Sequence, residues 1–146
     1  MSKELSQSEV DAMLSGLELP PDLRYTTHLE VTNGVLFLRL TGTLLQPIPD
    51  EFSQRIHTIF RNFPAQRAVV DLSKCVFMSS SAIGTVVDFF HASTAAGGQV
   101  LLIKPPEKIL KLIDILGLGS FFLIVDDDAM AISYFVVHSK LRQEPH

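Results

Sequence analysis

The chain of 146 residues has a single cysteine, Cys75, which excludes an internal disulfide framework and any multi-cysteine metal site. A small thiol beside an apolar run reads as a buried hydrophobe rather than as a reactive group. No apolar run reaches the ~18 to 20 residues that span a bilayer, and the polar start "MSKELSQSEV" is not a signal peptide. The expectation is a cytoplasmic protein with no membrane partner. Lys and Arg are scattered through a chain of net charge −4, so there is no basic footprint for nucleic acid or anionic lipid. Also missing are a glycine-rich phosphate loop and the G-x-S-x-G turn that presents a nucleophilic serine. His28, His57, His91, His138 and His146 have no metal-ligand spacing. No cofactor or metal is expected, and no internal repeat or low-complexity tract interrupts the chain.

What is present is enough apolar sequence, 47%, for one domain with a proper core and a short extension. Pro20 and Pro21 in "LELPPDLR" mark a stiff linker. This divides the chain into a peptide over 1–19, a linker over 20–24, a domain over 25–140 and a tail over 141–146. "HLEVT" and "VLFLRLTG" read as strands meeting at Asn33-Gly34, a strong hairpin signal. From Asp50 onward Phe52, Ile56, Ile59 and Phe60 share one helical face, ahead of the short strand "RAVVDLS". Ile83, Val86, Val87 and Phe90 repeat the helical spacing, "AAGG" closes that helix, and the strand "QVLLI" follows. Ile109, Leu112, Ile113 and Leu116 form a third face that begins at proline and stops at Gly117. "FFLIV" is a last apolar strand, and "DDDAMAISYFVVHSK" a last helix with its acids at the N-terminus. Continuous apolar strands alternating with amphipathic helices predict an α/β fold with a mixed, mainly parallel sheet covered by helices.

"CVFMSSSAIGTVVDFF" raises a chemical question, because one hydroxyl would cap a helix and this chain has three in a row. On local chemistry alone Ser79, Ser80 and Ser81 read as a cap plus small surface residues. A phosphate there would also be well placed, since free N–H groups and the helix dipole favour an anion. It would add about −1.5 to −2 charges and turn off a surface that packs against a partner with neutral serines. A serine hydrolase is a third class with little behind it: no base is evident, and His91 lies about three turns away on the same helix.

The run from "AVVDLS" through "MSSSAIG", "AAGGQVLLI" and "ILGLG" to "IVDD" resembles the STAS domain of bacterial anti-sigma-factor antagonists. With "LRLTGTL" upstream, the likeness covers roughly residues 25 to 140. It implies no catalysis, and binding to a serine/threonine-kinase-type anti-sigma factor or related regulator. The family pattern Asp-Ser-Ser-Gly falls on Ser79, Ser80, Ser81 and Ala82, which puts the family's phosphorylated serine at Ser80 and makes Ser79, Ser81, Ala82 and Gly84 partner-surface residues. The chain departs from the family at Ser79 (usually Asp), Ala82 (usually Gly) and Leu45 (commonly acidic).

The extension "LSQSEVDAMLSG" forms a capped helix on paper: Ser6 and Glu9 make a capping box, Val10, Met13, Leu14 and Leu17 an apolar stripe, and Gly16 a stop. Such a stripe either docks on its own domain or fits a partner's groove. The segment also resembles the N-terminal peptide of flagellar motor switch proteins, which binds a chemotaxis-type response regulator. That resemblance implies Val10, Met13 and Leu14 as anchors, with Glu9 and Asp11 reaching basic groups. Together the two resemblances point to a signalling adaptor. The alternative is an anti-sigma-factor antagonist that sequesters a serine-kinase anti-sigma factor in transcription control, its extension a passive tail.

Overall fold

The computed structural model describes residues 4–17 and 24–143. Pro20 and Pro21 of the expected linker lie outside the described residues. In chain order the elements are α1 (Gln7–Leu14), β1 (Tyr25–Thr32), β2 (Val35–Leu44), α2 (Asp50–Asn62), β3 (Arg67–Met78), α3 (Ser80–Ala95), β4 (Gln99–Ile103), α4 (Glu107–Ile115), β5 (Leu123–Val125) and α5 (Asp128–Gln143).

The five strands form one sheet in the order β1-β2-β3-β4-β5. β1 and β2 are antiparallel, joined by Asn33 and Gly34 at φ 53° and 75°, the paired left-handed positions of a tight hairpin turn. The remaining pairs are all parallel. Helices α2, α3 and α4 bury Phe52, Ile56, Ile59, Phe60, Ile83, Val86, Ile109 and Ile113 on one face of the sheet. Among the described residues the other face is covered by α5 alone, through Ala131 and Phe135 against Val35, Phe37, Val69, Leu101 and Ile103. β2, β3 and β4 therefore have apolar residues on both faces, which is why they read as continuous apolar runs.

Several boundaries differ from expectation. β3 does not stop at "DLS": it runs on to Met78 because β2 continues as its partner as far as Leu44. β5 is only three residues long, since Phe121 and Phe122 turn back to pack edge-on against Phe90. The α3 stripe omitted Phe89, Thr85 and Ser93, all buried, while Val87 and Phe90 are half-buried. Leu116 sits past the last turn of α4 and is exposed. α5 continues to Gln143, beyond the expected boundary at 140.

The extension is not a separate peptide in this structure. Ser6 caps α1 through the Glu9 N–H. Val10 is fully enclosed and Leu5 nearly so, both within the main core. The Gln7 amide pairs with the outer edge of β1 as another strand would, accepting from the Val31 N–H at 2.7 Å and donating to the Leu29 carbonyl at 3.4 Å. Arg55 of α2 donates to the Met13 and Ser15 carbonyls. Of the expected anchors, Val10 is thus occupied by its own domain, and Met13 and Leu14 are half-buried against the same core. Glu9 is half-buried, and Asp11 is exposed with its carboxylate accepting from Gln7. The physical reason is that an eight-residue helix is marginal alone and gains more from a permanent apolar seat than from water.

On the α5 side of the sheet Arg39 joins four elements. Its guanidinium donates to Glu30 on β1, to Asp71 on β3 at 2.8 Å and to Asp128 at the start of α5 at 2.8 Å, and it lies 4.7 Å above the Phe37 ring. Its hydrogen bond to Asp128 leads the interactions that raise its pKa, against the opposing effect of burial. Burial pushes the Asp71 carboxyl up, but the Ser73 hydroxyl and N–H together with Arg39 outweigh it and hold the group below the usual carboxylate range.

Three outcomes are expected. Arg39→Met strands Asp71, whose side chain is only 13% exposed, and costs about 2 kcal/mol in urea unfolding, less than stranding a fully buried charge. Because Asp71 is depressed in the folded state, its contribution is complete above the unfolded carboxyl pKa of about 4 and disappears as pH falls below it, so Asp71→Asn flattens the acid limb of stability against pH. Val10→Ala lowers the unfolding free energy of the whole domain by about 2 kcal/mol; an independent N-terminal peptide would leave it unchanged.

Candidate functional site

Beyond Asp71, β3 has no partner in β4, and only its pairing with β2 carries it to Met78. β2 and β3 therefore project past β4, with β1 still paired to β2 as far as Gly42, and only their last residues form a two-stranded ribbon. Two register shifts, between Arg39 and Thr41 and between Gly42 and Thr43, bend it. Gly42, at φ 87°, is required there, because a Cβ would fall 2.1 Å from the Arg24 carbonyl oxygen. The ribbon turns Leu44, Cys75 and Met78 into the core, and burial pushes the Cys75 thiol up to about 11, which makes it inert as a nucleophile. Its other side leaves Val76 at 66%, Phe77 at 39% and Leu45 at 42% exposure.

Helix α3 starts at the ribbon's tip. The Ser79 N–H donates to the Leu44 carbonyl at 2.8 Å, which locks the helix entry to β2. Ser79 is the cap: its hydroxyl accepts from the Ala82 N–H at 3.2 Å and bonds the Ser81 hydroxyl at 3.0 Å. Ser80 is exposed, and its hydroxyl has no hydrogen-bond partner among the described residues. The three serines thus divide into a cap, its companion and one free hydroxyl at the first helical position. Ala82 is fully buried, its methyl within the core where a glycine would leave a gap. Gly84 is half-buried, and a Cβ built on it meets nothing within 4 Å.

A cleft of about 410 Å3 separates α2 from α3 beside the serines, lined by Asp50, Ser53, His57, Ser81, Gly84 and Asp88. Nothing in the sequence marks Asp50 and His57 as neighbours of the serines, because only the packing of α2 on α3 brings them there, whereas Asp88 lies two turns along α3 itself. His57 packs edge-on against Phe89, and its Nε2 is buried without a partner. No histidine or carboxylate bonds any of the three hydroxyls among the described residues, so none is activated for nucleophilic attack in the manner of a catalytic serine. Groups of three or more His, Cys, Asp or Glu that could hold a metal are absent among the described residues, and no helix there is long and apolar enough to cross a membrane.

The site is thus an α/β domain's free serine at a helix start, rimmed by exposed apolar side chains. The STAS domain family matches residues 26–131, and the chain belongs to that family. An anti-sigma F factor antagonist of Paenibacillus polymyxa is 24% identical over 112 residues, covering 77% of this chain and 96% of that protein. The anti-sigma factor antagonist SpoIIAA in its unphosphorylated form superposes with a TM-score of 0.59 at 20% identity, over 83% of this chain and 100% of that one. The phosphorylated form of the Bacillus cell fate determinant SpoIIAA gives 0.55 at 23% identity, over 75% and 98%. The family match begins at residue 26 and leaves α1 outside it.

The division of labour among the serines has a thermodynamic signature. Ser79→Ala costs about 1 kcal/mol in chemical denaturation, the loss of a helix cap. Ser80→Ala changes stability by less than about 0.5 kcal/mol, because its hydroxyl bonds nothing. Gly84→Ala stabilises by about 0.5 to 1 kcal/mol through helix propensity, since there is room for the methyl.

Proposed function

We propose that this protein is a non-catalytic antagonist of a serine/threonine-kinase-type anti-sigma factor, and that it acts in transcription control through the tip of the β2–β3 ribbon and the start of α3. Leu45, Val76 and Phe77 supply the apolar contact, Ser79 to Ser81 and Gly84 the small polar part of the surface, and Ser80 is the hydroxyl the kinase phosphorylates. The observation that carries the reading is the exposed, unbonded Ser80 hydroxyl at the first position of α3, with its neighbours already committed to each other. The names of the relatives support the partner class, and the phosphorylated relative supports a phosphate as the switch.

The physics of the switch follows from the surroundings. Docking removes water from Val76 and Phe77, and a dianion at Ser80 would have to be desolvated in the same contact. Asp50 and Asp88 flank the cleft, and no Lys or Arg lines it to offset the new charge. Phosphorylation therefore weakens docking while the helix dipole keeps the fold tolerant of the anion. Binding of a chemotaxis-type response regulator by α1 would require the helix to leave its seat, because Val10 is enclosed. Antagonism of an anti-sigma factor needs no such rearrangement.

The test is to incubate the purified chain with candidate anti-sigma kinases from its own genome and ATP, followed by phosphopeptide mapping and binding titration. Phosphate is expected on Ser80, lost in Ser80→Ala and retained in Ser81→Ala, with affinity for the kinase falling at least tenfold in the phosphorylated form. Val76→Asp is expected to abolish binding with the fold intact. Unchanged affinity in Val76→Asp and in the phosphorylated chain would remove this surface from the interaction.

A further inference from the structure

Helix α5 is apolar on two faces, and the sheet covers only one. Ala131 and Phe135 are buried against β2, β3 and β4. On the outer side Met130, Val136 and Val137 are 47%, 46% and 54% exposed, with Ala129 and Ser133 exposed between them. No Asp, Glu, Lys or Arg occurs from Ala129 to Ser139. The exposed sides of α2 and α4 are different: they carry Glu51 and Arg61, and Glu107 and Lys111. An apolar helix face left open to water is a candidate contact surface. Leu123, 45% exposed, extends the patch onto β5, since its register partner Leu101 faces α5.

We propose that this face packs against the same face of a second copy of the chain, α5 antiparallel to α5, about a two-fold axis through Ser133. Two features single out a second copy as the occupant. The first is charge: Asp126 and Asp127 precede the helix, both exposed, and the sequence has Lys140 and Arg142 near its end. Antiparallel alignment about position 133 sets position 126 opposite 140, so the acidic start of each helix meets the basic end of the other and the two dipoles oppose. A parallel pair would set acid beside acid. The second is shape. The same alignment puts the small Ala129 opposite Val137 and the flexible Met130 opposite Val136, with a serine at the axis where the helices come closest. Such an interface is self-complementary, as a two-fold contact requires. One helix face and its border are smaller than the ~800 Å2 per partner of a standard interface, so the dimer is weak and forms at high concentration. The face lies on the side of the sheet away from α3, so both serine surfaces stay open in the dimer.

The experiment is sedimentation velocity on the full chain from about 2 to 500 µM, with Val137→Glu alongside. The wild type is expected to pass from monomer to dimer across that range, and Val137→Glu to raise Kd at least tenfold with an unchanged thermal transition. Should that variant fold poorly, mild oxidation of Ser133→Cys gives an independent reading. A cysteine on the axis links two copies, whereas Ala129→Cys links only when mixed with Val137→Cys. The native Cys75 is buried and silent. A chain that stays monomeric at the highest concentration overturns the proposal, as does a dimer indifferent to Val137→Glu or cross-linked equally well by Ala129→Cys alone. A monomer that still binds its anti-sigma partner would leave the reading of the serine surface standing.

Discussion

The parallel pairing of β3 with β2 beyond the reach of β4 is the constraint on which the candidate site depends. Half of β3 is an inner strand held on both sides, and half is the outer member of a ribbon held on one. The inner half fixes the ribbon's direction. The outer half gives it a surface that the sheet does not cover. The hydrogen bond from the Ser79 N–H to the Leu44 carbonyl then ties the start of α3 to the end of β2, so that the last residues of both strands and the first turn of the helix form one unit. Such a surface is preorganised, so a protein docking on it would have no loop to order, and side-chain and loop ordering is one of the main costs of association.

The two faces of the sheet are stabilised by different means. Three helices of the domain, joined by α1, enclose a continuous apolar core on one side. On the other, a single helix lies over a smaller apolar patch, and its N-terminus is secured by ions: Arg39 reaches Glu30, Asp71 and Asp128 at once. An isolated surface pair is worth little, but a guanidinium shared among three carboxylates and stacked over Phe37 is already oriented by its neighbours. The clamp fixes where α5 begins and therefore which of its residues point outward. An apolar outer face on a rigidly anchored helix is a surface with a defined shape, unlike the same residues on a fraying terminus.

Much of this architecture was legible in the sequence because the governing signals are local. Asn33-Gly34 specifies its turn by backbone conformation alone, and the i, i+3, i+4 spacing of Phe52, Ile56, Ile59 and Phe60 specifies a buried helical face without knowledge of what covers it. What the sequence did not disclose depends on distant partners. The length of β3 is set by the length of β2, and "KCVFM" alone does not look different from a loop that enters a helix. The role of Arg39 needs Asp128, far along the chain, and the seat of Val10 needs β1 and α2. At the site, the triplet was visible as an excess of hydroxyls, but its division into cap, companion and free group is a matter of angles that composition does not contain.

The departures of this chain from the STAS pattern acquire a physical meaning from the same geometry. Where the family usually has Asp before its phosphorylated serine, Ser79 performs the capping with a neutral oxygen. A neutral cap satisfies the Ala82 N–H as well as a carboxylate would, so the fold loses little. The local charge does change, because the residue next to Ser80 no longer carries a negative charge. A phosphate placed on Ser80 would meet less repulsion at the helix start than it would beside Asp, and the negative charge close to the serines is that of Asp50 and Asp88 lining the cleft. Ala82 works in the same direction, since its buried methyl fills core space and stiffens the first turn without reaching the surface. The substitutions therefore leave the helix start intact as a scaffold and shift the negative charge beside it from the cap to the groove between α2 and α3.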